Sequence, residues 1–159
     1  MLIYHGSFCV IQKPKIEYSR DKLNFGKGFY VTPLMEQAEA WVARFKRTGR
    51  NAIVNCYEYD ENKVCQNYRI KKFKEYDDEW LDFIIACRNG DLIYQEYDVV
   101  EGGIANDKVF NTVELFMDGL ISKYEALGRL KYQQPNYQIC FINQEVINQY
   151  LLFKGSSEK

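Results

Sequence analysis

Phe25-Gly26-Lys27-Gly28-Phe29-Tyr30-Val31-Thr32-Pro33 changes its pattern midway, and that change decides the fold. Gly28 to Thr32 carries the aromatic and β-branched side chains of a strand. Thr32-Pro33 then reads as a helix start. Threonine suits an N-cap, and proline suits the first helical position, where its missing N–H is no loss. Leu34, Ala38, Trp41 and Phe45 follow at helical spacing, which predicts a helix to about Lys46, stopped by Gly49.

The chain on both sides mixes the two element types. Upstream, Leu2 to His5 is a short strand ending in a Gly6-Ser7 turn, and Lys13-Pro14-Lys15 begins a polar loop. Downstream, Ala52 to Tyr59 is a strand. Asp77 to Arg88 is a helix with Trp80, Leu81, Ile84, Ile85 and Arg88 on one face and Asn89-Gly90 as its stop. Tyr94 to Val100 is a strand and Lys108 to Met117 a helix. Ser122-Lys123-Tyr124-Glu125 is a capping box that opens a further helix. Gln138 to Ile142 and Leu151 to Phe153 are strands. This is no regular βαβ alternation, and neither GxGxxG nor GxxxxGK[ST] occurs, which argues against Rossmann and P-loop folds. The predicted class is α+β: one domain over residues 1–154, with a disordered polar tail at 155–159.

Composition narrows the chemistry. The chain has 159 residues, 21 basic and 22 acidic side chains, and a single histidine, His5. One imidazole excludes Cys2His2 fingers, three-histidine zinc sites and HExxH helices. A net charge of −1 lacks the footprint of a dedicated DNA binder, while leaving room for a local basic patch for RNA. The five cysteines are widely spaced without a CxxC, which reads as reduced, mostly buried thiols and no metal site. No apolar run reaches membrane-spanning length and the start has no signal-peptide pattern, so the expected location is the cytoplasm, with no membrane partner.

Three segments carry a resemblance: Tyr4-His5-Gly6-Ser7; Phe25 to Thr32 with the Glu36 to Ala43 helix; and Asn136-Tyr137-Gln138-Ile139-Cys140-Phe141. Their order resembles the ADP-ribosyltransferase superfamily, in its H-Y-E branch of diphtheria-toxin-like and poly(ADP-ribose) polymerase-like enzymes. Over nearly the whole chain the sequence looks like the bacterial DUF3990 family, through YHGS, the G-x-G-F-Y segment, Asp98-Val99-Val100-Glu101-Gly102-Gly103-Ile104-Ala105-Asn106-Asp107 and the Q-I-x-F ending. The resemblance implies split mixed β-sheets with flanking helices. It also implies an NAD-dependent ADP-ribosyltransferase, plausibly toxin-like, acting on an unidentified acceptor (protein, nucleic acid or small molecule), with a possible small antitoxin-like partner.

The resemblance also assigns roles. His5 would bond a ribose hydroxyl, the Gly6 backbone would meet the carboxamide, and Tyr30 would stack on nicotinamide. Tyr4 and Gly28 complete the nominated NAD-binding set. Where the branch places its catalytic glutamate, this chain has Gln138, which accepts a hydrogen bond but cannot take a proton. Asp107 is the candidate compensating acid, with a plain N-cap as its alternative reading; Asp98 and Glu101 compete less well. A further departure is Asn24, an amide where the family pattern has an acid. Arg20 could meet an NAD phosphate. Arg129, Lys131, Tyr132 and Tyr137, before or at the start of the last motif, could hold an acceptor. Two other readings remain: a non-catalytic NAD- or partner-binding module, and an NAD glycohydrolase.

Overall fold

The computed structural model describes residues 1–104, 107–131 and 136–159, the side chains of Asp107 and Lys108 excepted. It is a mixed α+β fold with two sheets and six α-helices among the described residues. One sheet has the order β1-β3-β7: β1 is Leu2–Ser7, β3 Ile53–Tyr59 and β7 Leu151–Glu158, all antiparallel. The other has the order β2-β6-β5-β4: β2 is Phe29–Val31, β4 Ile70–Lys72, β5 Val99–Ile104 and β6 Asn136–Phe141. Only the β4–β5 pair is parallel in that sheet. Among the described residues the sheets share one β-bridge, where Tyr4 and Thr32 exchange backbone hydrogen bonds of 2.8 and 2.9 Å.

The helices are α1 (Met35–Arg47), α2 (Glu61–Val64), α3 (Asp78–Asn89), α4 (Asp107–Met117), α5 (Lys123–Leu130) and α6 (Gln144–Tyr150). Strand alternation sorts the core into layers. Ala38 and Val42 of α1 cover Val54 on the outer face of the three-stranded sheet. Ile3, Tyr57 and Tyr59 on its inner face pack against Phe29, Val31, Val99, Ile139 and Phe141 of the second sheet. Val100 and Cys140, on that sheet's far face, join Trp80, Leu81, Ile84, Val109, Val113, Ala126 and Leu130 of α3, α4 and α5.

Several boundaries differ from the sequence reading, each for a physical reason. Helix α1 begins at Met35; Thr32 spends its backbone on the Tyr4 bridge, and its Oγ1 accepts from Leu34 N at 3.1 Å. Its buried stripe is Ala38 and Val42, while Leu34 and Trp41 are exposed. Gly6-Ser7 continues β1 instead of turning. The predicted strand from Tyr94 is a 3-10 turn over Ile93–Glu96, and β5 begins at Val99. The expected polar tail is paired instead: Gly155 to Glu158 lie in β7 against β3, and Lys159 N donates to Ala52 O at 2.8 Å. All five cysteines are free thiols, but only Cys87 and Cys140 are buried. The cap at Ser122 stands as read, accepting from Glu125 N at 3.1 Å, while Asp77, read as the first helical residue, is the N-cap of α3 and accepts from Trp80 N at 2.9 Å. No helix of the described residues is long and apolar enough to cross a membrane.

Candidate functional site

The candidate site forms where β1 and β2 part beyond their one bridge. In an antiparallel strand, alternate residues direct their N–H and C=O to the same edge. Tyr4 uses that edge to bond Thr32, so Gly6, two residues on, turns its backbone groups to the same side. There the β2 residue beside it, Tyr30, no longer serves the strand ladder: its carbonyl takes His5 Nδ1 at 2.7 Å. A carbonyl can only accept, so Nδ1 carries the proton and Nε2 is left as an acceptor. The His5 ring lies over Phe29, centroids 4.6 Å apart. Burial pushes the His5 pKa below its ordinary value, and the bond to Tyr30 only partly opposes this. The imidazole is therefore neutral at pH 7.

That shift fixes a sign. A group whose folded pKa is depressed is protonated first in the unfolded chain, so its contribution is full above pH 6.5 and lost as pH falls below it. Urea midpoints measured between pH 7.5 and 5.5 should fall more steeply for the wild type than for His5→Gln. Parallel curves would refute the assignment.

Tyr30 is half-buried and anchored at both ends. Its hydroxyl donates to Gly26 O at 2.6 Å and accepts from Phe25 N at 3.1 Å. Burial holds its pKa well above the usual tyrosine range, with the Cys140 thiol adding to the shift. Cys140 is its partner across the sheet. Gln138, two residues before Cys140, shares Tyr30's face and is itself half-buried. The preceding residue is clamped by α1: Gln37 Nε2 donates to Tyr137 O at 3.0 Å, and Gln37 Oε1 accepts from Tyr137 N at 3.1 Å. One helix, packed on the sheet that carries His5, thus also holds the strand that carries Gln138.

The other nominated residues have structural occupations. Tyr4 packs under α1 with Ala38 and Val42, on the face of β1 opposite the His5 ring. A Cβ on Gly6 would stand 2.6 Å from Val42 Cγ1 and 2.9 Å from Trp41 Cδ1, so the glycine admits α1 to the sheet. A Cβ on Gly28 would meet Cys140 Sγ at 2.4 Å, so this glycine serves the close approach of β2 and β6. Asn24 Oδ1 accepts the Nε and Nη2 of Arg88 at 3.0 and 2.8 Å, while Glu114 supplies the countercharge at 3.1 Å. Asp107 opens α4, but its side chain lies outside the described residues, as does Tyr132.

The competing carboxylates are spoken for. Partial burial works against the Asp98 carboxylate, but Arg69 N, the Asn143 amide and the Arg69 guanidinium outweigh it and keep its pKa below the usual range. Glu101 is 2% exposed and lies 2.7 Å from Lys72 Nζ, which also pairs with Glu61. Burial works against the Lys72 ammonium, but the two carboxylates outweigh it and raise its pKa. Burial raises the Tyr137 pKa, and the nearby Glu101 carboxylate adds to the shift. Register places Glu101 opposite Ile139, on the sheet face away from Gln138. The pairing of buried Glu101 with the exposed Lys72 is a feature that the sequence reading passed over.

A cavity of about 690 Å³ opens at the far end of β5 and β6, lined in part by Tyr76, Gly103, Tyr124, Leu127, Lys131 and Tyr137. Neither it nor a smaller cavity of about 380 Å³ beside Lys27 and Asp98 includes His5, Tyr30 or Gln138 in its lining. Among the described residues no cluster of His, Cys, Asp or Glu side chains is placed to hold a metal ion.

A family model described as "Protein of unknown function (DUF3990)" matches residues 1–153, and the chain belongs to that family. Comparison with curated proteins and with solved structures gives no match.

Proposed function

Starting from this DUF3990 membership, we propose that the protein is an NAD-dependent ADP-ribosyltransferase that moves ADP-ribose from NAD to a macromolecular acceptor. The observation that supports this reading is the junction at His5. A neutral imidazole, its tautomer set by Tyr30 O, sits beside a glycine that turns its N–H and C=O toward the parting of two sheets. A carboxamide is a matched donor–acceptor pair for such an edge, and a free Nε2 can accept from a ribose hydroxyl. The split of a 1-3-7 sheet from a 2-6-5-4 sheet also suits the resemblance that the sequence motifs carry.

The reaction breaks the bond between the nicotinamide ribose and the nicotinamide nitrogen through an oxocarbenium-like state, as in glycoside cleavage. Nicotinamide leaves with the bonding pair, and an acceptor nucleophile forms the new bond to the anomeric carbon while losing a proton. Gln138 can orient a ribose hydroxyl but supplies no charge. The test is nicotinamide release from NAD by the wild type and by Gln138→Glu, in buffer and with cell extract. Slow wild-type release, raised at least tenfold by Gln138→Glu, is the expected result, because a carboxylate stabilises developing positive charge where an amide does not. No NAD binding by calorimetry in either protein would overturn the reading.

A second reading, a non-catalytic binding module, draws on a specific observation. Glu101 lies on the opposite sheet face and Asp98 is held by Arg69 and Asn143, so neither stands in for the missing glutamate. NAD binding without release by the wild type, and release by Gln138→Glu, would favour it.

A further inference from the structure

The chain is nearly neutral, yet its arginines are unevenly neutralised. Arg69, Arg88 and Arg129 each pair with a carboxylate. Arg20, Arg44, Arg47 and Arg50 make no ion pair among the described residues, and three of these four fall in the last half of α1 and the turn after it. From Trp41 to Arg50 there are four cations and no carboxylate. Gly6 to Gln12, which faces this end of α1 through Phe8, again carries no carboxylate.

Aromatic rings lie among these charges. The Arg44 guanidinium sits 3.2 Å above the Trp41 ring and 5.2 Å from the Phe45 ring. Phe8 meets Phe45 edge to face at 5.9 Å, and Arg50 lies 5.4 Å over Phe8. Trp41 and Phe8 are 49% and 50% exposed, large apolar surfaces that the fold leaves open. Arg20 is near enough for its charge to add to the burial that lowers the Arg44 pKa, so like charges are gathered here rather than dispersed. Folding alone does not favour such gathering; a polyanion offsets it.

We infer that the Phe8, Trp41, Phe45, Arg44 and Arg50 surface, with Arg20 and Arg47 at its margin, binds single-stranded nucleic acid. Unpaired cations match a phosphate backbone, and flat rings and guanidinium planes match unstacked bases. The geometry disfavours an anionic membrane as occupant: Arg44 and Arg50 lie over the Trp41 and Phe8 faces, which opposes apolar insertion, while the guanidinium planes themselves offer a base a stacking surface. A duplex would leave the stacking surfaces unused. The surface adjoins the candidate site through Gly6, against which Trp41 rests. It stands independently of NAD chemistry, but if that chemistry operates, a bound strand lies within its neighbourhood.

The test is fluorescence anisotropy with a labelled 20-nucleotide single-stranded RNA, the same sequence as DNA, and its duplex. Vesicle sedimentation with phosphatidylserine–phosphatidylcholine mixtures runs in parallel. Single strands should bind at low salt, with log K falling against log salt at a slope of about −2 to −3 for three or four phosphate contacts. The duplex should bind at least tenfold more weakly. Arg44→Glu/Arg50→Glu should lose at least tenfold with its circular dichroism and melting temperature retained. Trp80 is fully buried, so quenching of tryptophan emission on binding should come from Trp41 and vanish in Trp41→Phe. The inference is overturned by absent binding, by duplex binding as tight as single-strand binding, by an unaffected double variant, or by sedimentation with vesicles without oligonucleotide binding.

Discussion

His5→Ala should reduce nicotinamide release from NAD by about 10²-fold, the scale at which losing one well-placed hydrogen-bonding group acts in a reacting site. The substitution removes two things together. It deletes the Nε2 acceptor, and it takes away the Nδ1 donor that occupies Tyr30 O at 2.7 Å. The orphaned carbonyl then seeks another partner at the point where β1 and β2 part, which disturbs the edge offered by Gly6. Because the ring also packs on Phe29, a stability loss of about 1–3 kcal/mol accompanies the change. Release should therefore be measured at a temperature where circular dichroism shows the variant folded. An alanine variant that turns over NAD at the wild-type rate would remove His5 from the mechanism.

Trp80→Ala should lower stability by about 3–5 kcal/mol, the usual range for deleting a buried aromatic. Trp80 has no exposed surface, and it packs edge to face on Tyr76 at 4.7 Å. Its Nε1 donates to Gly103 O at 3.0 Å, fastening α3 to the end of β5. The alanine variant leaves that carbonyl buried and unpaired as well as creating a cavity. For a domain of this size the melting temperature should drop by about 10 °C or more. Thermal melts followed by circular dichroism decide it. A drop of only a few degrees would mean that the α3 layer carries little of the fold's stability.

The strong local signals in the sequence were legible. Ser122 acts as a cap because the short polar side chain and the orphan N–H groups are neighbours in sequence. Gly90 ends α3 in the left-handed conformation for the same reason. What depended on partners distant in sequence was not legible. Thr32-Pro33 has the composition of a helix start, but pairing with Tyr4, 28 residues away, holds Thr32 extended. The Gly155 to Glu158 segment is polar and looks frayed by composition; β3 recruits it through the backbone, which composition does not record. Trp41 reads as a core position by spacing, but the sheet beneath α1 accepts Ala38 and Val42.

The site was legible to a similar extent. The His5 ring and the Tyr30 carbonyl are brought together, since β1 and β2 meet at the Tyr4–Thr32 bridge two residues beyond Tyr30. Gln138 shares Tyr30's face but not that of the His5 ring, a distinction set by register and invisible in motif order. Glu101 ranked below Asp107 because it lies next to a glycine pair, and its ion pair was not foreseen. Its partner Lys72 belongs to β4, a strand of three residues that is too short to announce itself.

The three-stranded sheet has a mechanical consequence. Met1 N bonds Tyr59 O at one end of β3, and Lys159 N bonds Ala52 O at the other. β1 and β7 flank β3 on opposite sides and run in the same direction. Force applied between residues 1 and 159 therefore drags the two outer strands in opposite senses along the central one. The ladder is loaded in shear, with its hydrogen bonds sharing the load together, rather than being unzipped one at a time. The segment that carries His5 is thus one of the two outer strands loaded in shear.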